Sequence, residues 1–327
     1  MTGTAAPAGS TGFPGSTAGG PVVPPSSLQV YREVADLKRL RDAREPGSLA
    51  DRAFVRSWRA VLADPSPAAV EQLALRETAH ALAAARLAGV DASVLELAGL
   101  SRSERLDVLQ RAFDAVTSTA DGGLGDLADV RAALDPDPLD TGALPRVPAF
   151  VQALVHQPRA GATHPVRPRV VVEPPESHGD HCFVTAVYSA LVAGRHGVGR
   201  GEAFLVALAH HLPNGDLPDA GFGGEVLLGE HHQRVLAVLE ERSMAQLPDA
   251  LATRLRELLP QRETTGTSIG RVFNTADVLD RVLQVHHHAR AAAFTAAQAL
   301  DDLDIVHPGP VQEFQLGVLA AAGIPVR

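Results

Sequence analysis

The chain has 327 residues, 45% of them hydrophobic, with a formal net charge of −9 and a pI near 5.8. That length supports one large or two ordinary domains, and the acidic balance, with no Lys/Arg cluster, excludes a broad nucleic-acid-binding face because phosphate contacts need grouped cations. Cys182 is the single cysteine, which excludes an internal disulfide and cysteine-based zinc clusters.

Residues 1–26 are small residues with Pro and Gly, too poor in apolar bulk to offset the entropy of ordering, and are predicted to form a disordered tail. They lack the n- and h-regions of a signal peptide, and no later stretch reads as a membrane span, so the expectation is a soluble, cytoplasmic protein. From Leu28 the pattern turns helical. "LQVYREVADLKRL", "SLADRAFVRSWRAVLA", "SPAAVEQLALRETAHALAAARLAGV" and "SRSERLDVLQRAFDAV" place apolar residues at i, i+3, i+4 and i+7 behind serine N-caps. This predicts a helical region over 27–158, broken near 135–148 by "DPDPLDTGALPRVP" and resumed by "VPAFVQALVH". The Pro-rich stretch "QPRAGATHPVRPRVVVEPPESHGD" then leads into a second helical domain, 159–327. Its helices are predicted at about 181–195, 201–211, 223–243, 247–259, 268–293 and 310–323, with "RVVVE" the best strand signal. The predicted fold class is all-α.

Histidine is unevenly spread. Of 14, only His80 lies in the first 150 residues, where "ETAHALAAA" reads as a core position, so any chemistry is expected in the second half. "GDHCFVTAVYSALVAG" puts His181 in the first turn of an apolar helix, and "FLVALAHHL" puts His210 and His211 at the end of the next. "LLGEHHQRVLAVL" puts His231 and His232 mid-helix, and "FNTADVLDRVL" puts Asp277 on a later helix. Imidazoles and a carboxylate projecting inward from several helices are how a bundle builds a metal site, and this donor set suits a divalent transition metal: Mn, Fe, Co, Ni or Zn. His288 stands 11 positions beyond Asp277, about 16 Å along a helix axis, so "HHH" at 286–288 is read as a polar face outside that site.

His181, a His-led doublet beginning 29 positions later, and an "AD" whose Asp277 follows His211 by 66 positions resemble the HD-domain superfamily of metal-dependent phosphohydrolases. The resemblance covers roughly 175–290 and implies an HD-like helical bundle preceded by an additional helical region. The second member of the doublet departs from the family: His211 stands where Asp is usual. A neutral imidazole has one lone pair and cannot bridge two metals, so the departure favours one ion or none. An acid from the following turn, Asp216 or Asp219, is available to compensate, and His231 lies where extended members place a further ligand.

The resemblance thus implies metal ligands among His181, His210, His211, His231 and Asp277 and a small phosphate ester, such as a nucleotide, as substrate. His211 reads as a ligand, as a donor to a ligand, or as a charge complement at the helix end. Asp216 or Asp219 reads as a proton relay, and Arg281 as a phosphate clamp or as an i, i+4 partner of Asp277. Two other functions fit the same residues. One is an HD-type iron oxygenase; the other is a non-catalytic scaffold that binds a ligand or partner, for which His211 is the main support.

Overall fold

The computed structural model describes residues 23–137, 145–291 and 305–325. Most of the expected disordered tail lies outside them; its last residues do not fit that expectation, since Val23 is buried and Pro25–Ser27 form a 3-10 turn. In chain order the helices are α1 Leu28–Ala35, α2 Leu49–Ala63, α3 Pro67–Leu87, α4 Ala92–Leu97, α5 Arg102–Thr117, α6 Ala128–Ala132 and α7 Ala149–His156. A hairpin follows, β1 Ala162–His164 antiparallel to β2 Arg167–Val170, and then α8 His178–Ala193 and α9 Arg200–Ala209. The chain closes with α10 Gly221–Leu228, α11 His232–Met244, α12 Asp249–Leu258, α13 Ser268–Ala291 and α14 Gln312–Ala321. Helix makes up 69% of the chain and the hairpin is the one sheet among the described residues, so the protein is all-α.

Local chemistry accounts for the helix starts. Ser48, Ser66, Ser101 and Ser177 each accept a backbone N–H from the first turn they precede, and Pro67 occupies a first-turn position where no N–H is needed. The helix expected over 223–243 is two helices. Gly229 has φ +54°, a left-handed conformation that glycine adopts without a Cβ penalty, and it separates α10 from α11.

All 16 residues of α8 are buried, because α2, α3, α7, α9 and α13 pack around it. One contiguous apolar core joins residues from both sides of position 158, including Phe54, Trp58 and Leu82 on one side and Phe183, Phe204 and Leu279 on the other. The N-termini of α2 and α8 meet inside it, where the Ser48 hydroxyl donates to Asp180 and the Ser177 hydroxyl to Asp51. Each serine thereby caps its own helix and binds the acid of the other. Burial first, and the neighbouring Asp51 carboxylate second, push the Asp180 carboxyl up to about 8. Among the described residues no helix is long and apolar enough to cross a membrane.

Candidate metal centre

The Ser177 cap starts α8 so that His181, one turn in, faces α13 with no exposed surface. A carboxylate can only accept, so His181 Nδ1 donates to Asp280 Oδ2 at 2.7 Å. His210 sits at the C-cap of α9, where its Nδ1 donates to the Ala207 carbonyl at 2.6 Å, which leaves its Nε2 as the acceptor nitrogen of the neutral ring. These two Nε2 atoms face each other 3.1 Å apart, and Asp277 Oδ1 lies 3.3 Å from His181 Nε2. Sequence positions 210 and 277 are thus each brought beside His181. Burial, then the His181 imidazole, hold His210 well below the ordinary histidine range and keep it neutral. Burial works to raise Asp277, but Arg281, 3.1 Å away, and then His181 hold its carboxyl far below the usual range.

Behind His181 lies a closed ion cluster. Lys38 Nζ donates to Glu176 Oε2 at 2.6 Å and to Asp280 Oδ1 at 2.8 Å, with the lysine and aspartate side chains fully buried. Burial alone lowers a lysine, yet the two carboxylates outweigh it and raise Lys38, so the ammonium stays charged. Asp280 therefore takes one proton from Lys38 and one from His181, which fixes the tautomer and ring orientation of His181.

His211 has both ring nitrogens engaged, with Nδ1 2.8 Å from the Asn214 side-chain oxygen and Nε2 2.6 Å from Arg159 Nη1. A guanidinium can only donate, so His211 accepts from Arg159 in place of donating to a ligand, although one of its nitrogens lies within 4.8 Å of donor atoms of His181 and His210. Two sets of described residues are spaced to hold a metal ion, His181 with His210 and His211, and Glu176 with His181 and Asp280; Lys38 already supplies the cation of the second.

Asp219 accepts the backbone N–H groups of Ala160 and Gly221 at 2.9 and 2.8 Å. Burial raises it, but Arg159 and those amides together hold it below the usual carboxylate range, which makes it an anion and a weak base. Asp216 does not join the group: it is exposed and pairs with Arg242 at 3.0 Å. Arg281 pairs with Asp277 and also borders the central cavity. His231 is not in the cluster. The break at Gly229 leaves it in an exposed 3-10 turn beside Glu230 and Arg234, with 59% of its side chain accessible. The reading of 286–288 as a polar face fails at His288, which is buried against the Gln284 amide at 2.9 Å.

A cavity of about 460 Å³ opens onto this centre, lined by His210, His211, Asp277, Arg159, Arg281 and Asp219 among others. Sequence reasoning missed Lys38, Glu176, Asp280 and Arg159, and left His178 open between a loop residue and a ligand. Two signals were present: Asp280 falls one helical turn after Asp277, and Lys38 is the single lysine in a chain that otherwise uses arginine. Comparison of the chain with models of known families, with curated proteins and with solved structures finds no match.

Proposed function

We propose that the protein is a metal-dependent phosphoester hydrolase acting on a nucleotide or another small phosphate ester. The observation that carries this reading is the pair of Nε2 atoms 3.1 Å apart, each on a ring whose Nδ1 is bonded to an oxygen. Two buried lone pairs at that distance repel unless a cation lies between them. Nitrogens each bound to one ion at 2.0–2.1 Å stand roughly 2.9–3.4 Å apart, so the spacing fits the group. A divalent ion held by His181 and His210, with the Asp277 carboxylate 3.3 Å from the first, would supply Lewis acidity towards a phosphoryl oxygen and activate water. Asp280 and the Ala207 carbonyl hold the two imidazoles in the tautomer that such an ion needs. Arg281 and Arg159 border the cavity with planar guanidinium forks that match phosphate oxygens, and its volume is that of a small-molecule site. Asp219, held ionised by Arg159 and two amides, orients the arginine in this reading and does not shuttle protons.

A second reading has its own observation. His181 lies between Asp280 at 2.7 Å and Asp277 at 3.3 Å, an arrangement that also stabilises an imidazolium, in which case a proton joins the pair and the bundle is a non-catalytic scaffold. Elemental analysis of protein purified without a histidine tag, with a phosphoester panel, separates the two. About one equivalent of Mn, Co, Ni or Zn with metal-dependent phosphate release supports the hydrolase. Two of iron with dioxygen consumption favours an oxygenase, and no metal together with no turnover after metal addition favours the scaffold.

A further inference from the structure

The first half of the chain borders a cavity of its own, of about 320 Å³, between α2, α3 and α8. That volume falls within the range of small-ligand sites. The lining is graded from end to end. Along α3, Arg76, His80, Ala84 and Leu87 stand at i, i+4, i+8 and i+11, so they share one face and spread over about 16 Å. Helix α2, joined to α3 by residues 64–66, runs the other way: Arg56, paired with Glu77, lies at the Arg76 end and Leu49 towards Leu87. Phe183 and Leu109, both buried, complete the apolar lining.

The polar end has N–H donors to spare. The backbone N–H of Asp135 donates to His80 Nε2 at 3.3 Å, and burial lowers His80 to about 4, so the neutral ring carries its proton on Nδ1. Arg76 gives Nη2 to Asp135 at 3.0 Å, while its buried Nε has no hydrogen-bond partner. Arg56 commits Nε and Nη2 to Glu77, at 2.9 and 2.6 Å, and keeps Nη1. The charges of Arg56 and Arg76 both bear on the His80 ring, so the three donors converge. Every lining arginine already has a carboxylate partner, Arg44 and Arg52 sharing Asp42. This end therefore offers donors without a large surplus of charge, which suits one carboxylate and not a phosphate dianion.

The apolar end is held in place. Ala88 has φ +51°, a costly conformation for a residue with a Cβ, and Arg44 fixes the turn beside it by donating to the Gly89 carbonyl at 2.8 Å and pairing with Asp91 at 3.0 Å. Backbone over-determined in this way clusters at ligand sites.

We infer that this cavity binds a small monocarboxylate with an apolar body, the carboxylate received by Arg56, Arg76 and His80 and the hydrocarbon part by Ala84, Leu87 and Phe183. None of these residues belongs to the metal centre, so the inference does not rest on the hydrolase reading.

The test is isothermal titration of octanoate into the full chain, freed of metal and without a histidine tag. Octanoate is expected to bind at a single site, with octan-1-ol and inorganic phosphate at least about tenfold weaker. Arg76→Gln and His80→Phe are each expected to weaken octanoate by about tenfold, through loss of a hydrogen bond to a charged group. Ala84→Phe, which fills the apolar end, is expected to abolish binding, and His210→Ala to leave it unchanged. If Ala84→Phe loses helical circular dichroism, Ala84→Leu, a smaller filling, takes its place. Absence of binding by both octanoate and hexanoate overturns the inference, as does equal affinity for octan-1-ol or an affinity unmoved by all three cavity substitutions. Loss of binding in His210→Ala also overturns it, because the carboxylate then sits in the other cavity.

Discussion

The Lys38 cluster and the His181–His210 pair share one imidazole and differ in how their charge is met. On the Nδ1 side of His181, one ammonium is paired with two carboxylates at 2.6 and 2.8 Å, so the group carries its own cation. On the Nε2 side, two ring nitrogens face each other 3.1 Å apart, each on a ring whose Nδ1 is bonded to an oxygen. Both clusters are buried, so burial alone does not tell a structural polar group from a functional one. The distinction is whether the protein itself supplies the balancing cation.

The largest effect is expected where that cation is removed. Lys38→Met leaves Glu176 and Asp280 buried without a counter-ion and is expected to lower unfolding free energy by about 3–5 kcal/mol in urea denaturation. A loss under about 1 kcal/mol would mean that the cluster is hydrated or its carboxylates are protonated, and the contrast would collapse. His210→Ala tests the other side. It is expected to weaken metal binding by roughly 100-fold or more, beyond what loss of a supporting residue produces.

Asp280 belongs to both sides, so Asp280→Asn sharpens the comparison. Loss of the orienting carboxylate should weaken metal binding by about 10–100-fold while Cα geometry around His181 persists. Replacement of His211 by Asp gains an anionic oxygen near His181 and His210, and roughly tenfold tighter metal binding is expected by isothermal titration.

Acid should distinguish the clusters further. Burial, with Arg159 next for His178 and His210 next for His211, depresses both imidazoles, His178 to about 3, and His210 is depressed in the same way. An unfolded histidine titrates near 6.5, so as pH falls the unfolded chain takes up protons first. The contribution is therefore present above about 6.5 and is lost progressively towards 3, by at most ~1.4 kcal/mol per pH unit and group. Denaturation of metal-free protein from pH 7 to 4 measures it; a flat profile would mean that these imidazoles are already charged. The smallest effect is expected at His231, exposed outside the cluster, where alanine should change stability by less than about 0.5 kcal/mol and leave metal affinity unaltered.

The legible part of the site was the part carried by local pattern. His181 follows a serine cap into an apolar helix, His210 ends another, and Asp277 lies on a third, each recognisable within a dozen residues of sequence. His231 was misread because the apolar pattern runs through Gly229, and a single left-handed glycine was enough to turn the residue outward. His288 was misread for the opposite reason: a run of three histidines looks polar, but the helix face shared with Asp280 and Gln284 takes one of them into the interior. Arg159 and His178 sat in a Pro-rich connection with no periodicity to place them.

By itself the sequence determined the all-α class, the helix starts at Ser48, Ser66 and Ser101, and the residues on which a metal centre is to be sought. These follow from interactions spanning three to seven positions, namely caps and apolar faces, which any chain with that pattern must satisfy. Only the tertiary structure decided which cation meets which anion. Lys38 lies 242 positions from Asp280 and 138 from Glu176, and nothing in a charge says which opposite charge it will meet. That choice is made when α8 is enclosed on all sides and the groups at its N-terminus must find partners inside the protein, because leaving a buried charge unpaired costs several kcal/mol.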